Sequence, residues 1–363
     1  MPTLFDPIVL GAIHAPNRIL MAPLTRGRST REHVPTPVMA EYYAQRAAAG
    51  LILSEATGIS RQGLGWAYAP GLWTEAQVEG WKPVVAAVHK AGGRIFAQLW
   101  HMGRIVHPNF LGGAKGVSAS ATTAPGEIRT YEGKVPHAEA RPLELGEIPG
   151  LIEDYRNAAR NALAAGFDGV QLHAANGYLI DQFLRDGTNK RTDAYGGPIE
   201  NRIRLLTEVT QALVEIVGAD RTAVRLSPND DPQGVGDSNS EPLFLAAVEA
   251  LNGFNLAFLE MRASRPESTF RPGTRDLVPV IRKAYRSKLV LNSDYHLDDA
   301  NAALASGRAD AIAFGRTFLA NPDLVARLRS NAPLNQANPE TFYTQGAEGY
   351  TDYPTLDRAA AAQ

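Results

Sequence analysis

Gly169-Val-Gln-Leu-His-Ala-Ala-Asn-Gly-Tyr178 is the stretch on which the fold turns. Val170 to Leu172 is a short apolar run, and it follows a helical pattern from Ile148 to Ala165 that Gly166 closes. A run of that length in that place reads as a buried strand. Its C-terminal end delivers His173, then Asn176, then Tyr178.

The same strand-then-helix unit recurs on both sides. Further strands are expected at Arg18–Ala22, Leu51–Ser54, Arg94–Leu99, Thr222–Leu226, Leu256–Met261, Lys288–Leu291 and Asp310–Phe314. The helices between them are expected at Pro37–Ala49, Glu75–Ala91, Pro198–Val217, Pro242–Leu251, Asp276–Tyr285 and Leu297–Ala305. A last helix is expected over Asn321–Arg329, with Asn321 as its cap and Pro322 in its first turn.

Eight such units predict an α/β fold, a single (β/α)8 TIM barrel, with residues 1–363 as one domain. A doubly wound open sheet is the rival. It ranks lower because the count closes at eight and no Gly-x-Gly-x-x-Gly follows the first strand. The alternation breaks once, between Trp100 and Pro142, where Gly, Pro, Ser, Thr and Ala dominate without a helical period. So long a connection reads as a functional excursion or lid, with Tyr131-Glu-Gly-Lys134 turning a small hairpin inside it.

Bulk properties exclude several classes. Net charge is −2 with no basic run, so nucleic acid and anionic membrane are poor partners. No stretch approaches the roughly 18 apolar residues of a membrane span. The N-terminus lacks the features of a signal peptide, which makes the expectation cytoplasmic. There is no cysteine, which removes disulfides, thiolate metal sites and a cysteine nucleophile.

In a barrel, chemistry sits at strand C-terminal ends. Those ends carry Ala22-Pro23-Leu24-Thr25, Glu55-Ala56-Thr57, Gln98 to His101, His173 to Tyr178, Arg225, Asn292-Ser293-Asp294 and Gly315-Arg316. Loops after the seventh and eighth strands often hold phosphate, and Gly315 and Arg316 suit that, although a structural turn with a surface arginine is the plain alternative. Arg225 inside an apolar strand needs an anion, either a structural partner or a cofactor ring. Gln98 and Thr25 can bond the edge of a heterocycle or simply be satisfied polar residues.

His173 has no metal-ligand spacing to nearby acids, and His101 and His107 are six residues apart rather than four, so no metal site is expected. No Gly-x-Ser-x-Gly elbow occurs, and no lysine lies at a strand's C-terminal end. What remains is electrostatic. His173 and Asn176 can aim two donors at one oxygen, and Tyr178 can act as a general acid. The plain alternative is that Tyr178 packs with Leu179, Phe183 and Leu184.

Longer motifs carry a resemblance. They are Asn17-Arg18 with Met21-Ala-Pro-Leu-Thr25, Ala97-Gln-Leu-Trp-His-Met-Gly-Arg104, His173-Ala-Ala-Asn-Gly-Tyr178, Phe183 to Gly197, Ala313-Phe-Gly-Arg316 and Gly346 to Pro354. In this order and spacing the chain resembles the Old Yellow Enzyme family, in the branch that includes pentaerythritol tetranitrate reductase and morphinone reductase. The resemblance runs from Leu4 to Pro354.

The resemblance implies an FMN-dependent ene-reductase with one noncovalent FMN at the barrel top and NAD(P)H as reductant. By position, Pro23, Leu24, Thr25, Ala56 and Gln98 line the flavin ring, with His173 beside it. Arg225 faces its N1/C2 edge, and Ser293, Asp294, Gly315 and Arg316 hold its phosphate. His173 and Asn176 grip the substrate oxygen, and Tyr178 protonates Cα after hydride reaches Cβ from flavin N5. Thr25, Tyr68, Trp100 and Tyr343 shape the pocket, with Phe342 at the flavin edge. The implied substrates are electron-poor alkenes, for a monomer or small homo-oligomer. An acidic Asp294 beside phosphate departs from the Gly/Ala-rich loop frequent in relatives. The rivals are a relative acting on dienoyl thioesters, a flavin-binding or ligand-binding barrel without turnover, and a phosphate-binding aldolase or isomerase.

Overall fold

The computed structural model describes residues 1–229, 232–262 and 275–357. Eight parallel strands form the barrel: β1 (Ile19–Met21), β2 (Leu51–Leu53), β3 (Ile95–Trp100), β4 (Gly169–His173), β5 (Thr222–Leu226), β6 (Phe258–Arg262), β7 (Leu289–Asn292) and β8 (Ala311–Phe314). Each pairs with the next in sequence, and β8 pairs back onto β1 with Phe314 opposite Met21, which closes the sheet. Every expected strand is present within two residues of its expected start. Closure rules out the open doubly wound sheet, which must have two edges.

The main helices outside the barrel are α1 (Pro37–Ala44), α2 (Glu75–Lys90), α3 (Ile148–Ala165), α4 (Arg204–Val217), α5 (Ser240–Leu251), α6 (Val278–Ala284), α7 (Leu297–Ala305) and α8 (Leu324–Ser330). Three differ from expectation. The first stops at Ala44, because the chain must turn into β2 through Gly50, where a Cβ would lie 2.3 Å from the Asn17 carbonyl oxygen. The expected helix over Pro198–Val217 divides into Ile199–Arg202 and α4. Asn321 does not cap α8. Its side-chain N–H2 donates to the Thr317 carbonyl at 2.8 Å and its Oδ1 accepts from Asn335 N at 2.8 Å, so it ties two loops together and the helix starts at Leu324.

The lower half of the barrel interior is apolar. Leu20, Leu51, Leu53, Phe96, Phe258, Val290 and Ala311 form one buried cluster. A hairpin not anticipated from the sequence, Ile8–Leu10 paired with Ile13–Ala15, adds Ile8, Leu10 and Ile13 to that cluster and plugs the N-terminal end. Gly11 makes this possible. Its φ is +58°, and a Cβ there would sit 2.0 Å from the Asp220 carbonyl oxygen.

Two further features shape the upper end. The excursion starts at His101, since Trp100 completes β3. It contains the expected hairpin, Glu127–Arg129 against Lys134–Pro136, turned by Thr130 N–H to the Gly133 carbonyl at 2.7 Å. Buried Gln182 binds the excursion down: its Oε1 accepts from Arg104 N and Ser118 Oγ, and its N–H2 donates to the Met102 and Gly177 carbonyls. The C-terminal segment is held by Arg26 and Arg28, both fully buried. Arg26 donates to the carbonyls of Phe342 and Gly349, and Arg28 to those of Thr341, Phe342 and Glu348. Glu55 in turn accepts the Arg26 and Gly27 backbone N–H groups, each at 3.1 Å. Among the described residues no helix is long and apolar enough to cross a membrane.

Candidate active site

Above its apolar half, the barrel interior turns polar along one continuous chain of contacts. Gln98 on β3 donates to Gln171 on β4 at 2.8 Å. Gln171 donates to Glu260 on β6 at 2.7 Å. Glu260 Oε1 lies 3.0 Å from Nε of Arg225 on β5, an ion pair without hydrogen-bond alignment. Arg225 Nη2 donates to Asn292 on β7 at 2.7 Å, and Asn292 donates to the Ala313 carbonyl of β8. The structural partner weighed for Arg225 is therefore present, and it is Glu260. Asn292 stands among the strand ends named from the sequence; Gln171 and Glu260 do not. Adjacent strands place inward residues at one height, so the barrel alone could have suggested them.

His173 ends β4, one residue short of a sharp turn. Asn176 takes a left-handed φ of +60° and Gly177 follows at +78°, with Tyr178 N–H returning to the Ala175 carbonyl at 3.3 Å. Asparagine tolerates that conformation better than most residues. The turn sets Tyr178 edge-on to His173 with ring centroids 5.0 Å apart, and edge-on to Trp100 at 4.9 Å. Trp100 lies nearly parallel to His173 at 6.4 Å. Tyr178 packs on the cluster of Trp100, Met102 and Ala56, whereas Leu179, Phe183 and Leu184 belong to the main core. Packing with those three residues does not describe Tyr178.

Electrostatics fix the protonation states. Burial first, then the charges of Arg225 and Arg262, hold the His173 imidazole well below the usual histidine range, so it is neutral. Burial pushes the Tyr178 phenol up to about 12, opposed by a Gln233 side-chain hydrogen bond, so it keeps its proton through neutral pH. His173 Nδ1 and Trp100 Nε1 are buried and find no hydrogen-bond partner among the described residues. Such atoms normally have one, so these two point to an absent guest.

Asn176 is held on three sides. Its N–H donates to Ser227 Oγ at 2.8 Å, its carbonyl accepts from Gln233 Nε2 at 2.8 Å, and its Oδ1 accepts from Arg262 Nη1 at 2.9 Å. None of these three neighbours was singled out. Arg262 closes β6, and reading that strand's end as the others were read would have found it.

The remaining expected residues divide by place. Pro23, Leu24 and Thr25 are half-buried at the mouth after β1, and Ala56 is buried beside Trp100. Tyr343 meets Trp66 at 5.3 Å, and Trp66 meets Trp100 at 6.5 Å, which puts Tyr343 on the same aromatic wall. Phe342 precedes it, edge-on at 6.4 Å. Tyr68 instead faces the hairpin, 5.2 Å from Tyr131. At the far rim, Arg316 Nη2 bonds Asp294 Oδ1 at 2.7 Å, joining the loops after β7 and β8 where Ser293 and Gly315 lie. That contact offsets the charge of Asp294. Among the described residues no group of three His, Cys, Asp or Glu side chains could hold a metal ion.

The mouth thus offers a neutral imidazole, an amide, a phenol, an arginine above a carboxylate and an exposed arginine at the rim. An unpartnered buried ring nitrogen beside a polar-lined floor, with a cation at the rim, fits a flat heterocycle with a phosphate tail. Such a barrel is of the flavin-oxidoreductase class. The NADH:flavin oxidoreductase / NADH oxidase family matches residues 3–335, and the chain belongs to it, the family of the Old Yellow Enzymes. The old yellow enzyme homologue from Zymomonas mobilis is 59% identical, covers 98% of this chain and 100% of its own, and superposes with a TM-score of 0.96. Morphinone reductase is 44% identical, covers 99% and 97%, and gives a TM-score of 0.95. The 12-oxophytodienoate reductase 2 of Arabidopsis thaliana is 41% identical over 98% of this chain and 96% of its own.

Proposed function

We propose that this barrel reduces the C=C bond of alkenes activated by a carbonyl or nitro group, with NAD(P)H as the electron source and a noncovalent FMN at the mouth. The family supports FMN and NAD(P)H. When bound, FMN supplies the hydride that reaches the alkene's β-carbon. Gln98, Thr25, Pro23, Leu24 and Ala56 would border its ring, Arg225 its N1/C2 edge, and Ser293, Gly315 and Arg316, with the Asp294 backbone, its phosphate.

The chain's own residues do the rest. Neutral His173 and the Asn176 amide donate to the substrate oxygen, draw electrons from the double bond and stabilise the charge that develops on that oxygen. Tyr178, protonated and 5.0 Å from His173 ring to ring, delivers the proton to Cα. Trp100, Tyr343 and Tyr68 bound the substrate space, Phe342 borders the flavin, and the excursion after β3 acts as a lid within one 1–363 domain. The observation that carries this reading is the buried, unpartnered His173 Nδ1 beside Tyr178 and Trp100.

The test is anaerobic. Bound flavin should bleach with NADPH or NADH and recover its colour with 2-cyclohexenone. A flavin that bleaches and never recovers with any enone or nitroalkene would refute the alkene-reductase reading. His173→Ala with Asn176→Ala should lose enone turnover by orders of magnitude and retain FMN.

A further inference from the structure

Asn176 carries half of the proposed oxygen grip, and an asparagine side chain has a flaw for that task. Its two ends are nearly the same shape, yet one donates and the other only accepts. Turned the wrong way, Asn176 would set its Oδ1 against the substrate oxygen, acceptor facing acceptor. The backbone of Asn176 does not settle the choice. Its N–H is fixed on Ser227 Oγ and its carbonyl on Gln233 Nε2, which leaves the side-chain torsions free.

We infer that Arg262, at the end of β6, is a positioning residue that locks the Asn176 amide with its N–H2 turned into the oxygen-binding site. The inference rests on Asn176 donating to substrate. A guanidinium has donors and no acceptor, so only Oδ1 can face it. Arg262 Nη1 reaches that oxygen at 2.9 Å, and the N–H2 necessarily points elsewhere. The contact also polarises the amide: positive charge at Oδ1 withdraws electron density from the nitrogen and strengthens its N–H as a donor. Arg262 itself touches no reacting atom in this account. Its effect on the alkene passes through Asn176.

The test is a double-mutant cycle on FMN-saturated enzyme, reading kcat and KM for 2-cyclohexenone in wild type, R262M, N176A and R262M/N176A. R262M should lose about tenfold in kcat/KM, the scale of one hydrogen bond to a charged or polarised group. In the N176A background the same change should cost less than about twofold, since the group it orients is gone. R262Q, which keeps a neutral donor, should fall between wild type and R262M, and it replaces R262M in the cycle if R262M fails to load FMN. FMN content and the thermal midpoint accompany every variant.

A residue that merely stabilises the strand end would lower the wild-type and N176A backgrounds by the same factor, and that result overturns the inference. So does wild-type kcat/KM in R262M. If N176A alone reduces the enone normally, the oxygen-grip reading itself fails. Impaired N176A with additive losses leaves that reading standing and removes only the role of Arg262.

Discussion

Replacing Glu260 by glutamine should destabilise the barrel interior strongly. Glu260 is fully buried and, among the described residues, is the only carboxylate paired with Arg225, which is 5% exposed. The substitution keeps the volume and removes the charge. It leaves the guanidinium without its anion and turns an amide N–H2 toward either Arg225 or the Gln171 N–H2, both of them donors. Breaking a buried pair from one side costs roughly 3–5 kcal/mol. A chain of 363 residues has an unfolding entropy near 0.8 kcal/mol/K, so the thermal midpoint should fall by about 4–6 °C. The assay is far-UV circular dichroism melting at saturating FMN, with FMN affinity measured alongside. Asn292→Ala, which removes one hydrogen bond to the same arginine and one to the Ala313 carbonyl, should cost about 2–3 kcal/mol without removing a charge and serves as the scale. A shift under 1 °C in E260Q with unaltered FMN affinity would show that Arg225 does not depend on Glu260, and the argument from the pair would fall.

Three further outcomes are expected. Tyr178→Phe should slow flavin reoxidation by an enone roughly a hundredfold in single turnover while sparing flavin reduction, since only the proton donor is lost; equal slowing of both halves would exclude that role. Arg316→Ala should weaken FMN binding about tenfold, whereas Asp294→Asn should leave it unchanged or tighten it, because the acid competes with phosphate for the same guanidinium; titration of the apoprotein with FMN separates the two signs. Stability should fall in acid. The His101 imidazole is held down at about 3 by burial and that of His173 well below its usual value, so below pH 6.5 the unfolded chain takes up protons that the folded one refuses. The loss should approach about 1.4 kcal/mol per pH unit for each histidine as the pH falls from 6.5 towards the folded values, and urea midpoints from pH 8 to 5 would register it.

The barrel was legible because each strand is a short apolar run at a regular distance from a helix with clear stops. The mouth residues follow from the rule that places chemistry at strand ends, which is why the sequence alone names His173, Asn176, Tyr178, Arg225 and Arg316. What escaped notice depends on closure. The contacts of Gln171 and Arg225 with Glu260 exist only once β4, β5 and β6 share one interior, and nothing in a single strand announces them. The N-terminal hairpin has strands of three residues each, too short for any period to register. Asn321 looked like a cap because its type and its place before Pro322 suit one. Its amide instead bonds Thr317 and Asn335, a partner across a loop that sequence spacing does not encode.

The grip of Arg26 and Arg28 on the C-terminal segment is almost wholly to backbone carbonyls. Carbonyls are the same whatever side chain they accompany. The anchoring of this segment is therefore indifferent to which residues stand at 342 and 343, although Tyr343 joins the aromatic wall of Trp66 and Trp100. In the function proposed above this segment is one wall of the substrate space, and it is a replaceable panel: its lining can be rewritten by mutation, in nature or in a library, while the fastening stays intact. Variation in substrate range among such barrels has a low-risk place to accumulate, and a saturation library at Phe342 and Tyr343 should yield folded, yellow protein at nearly every position sampled.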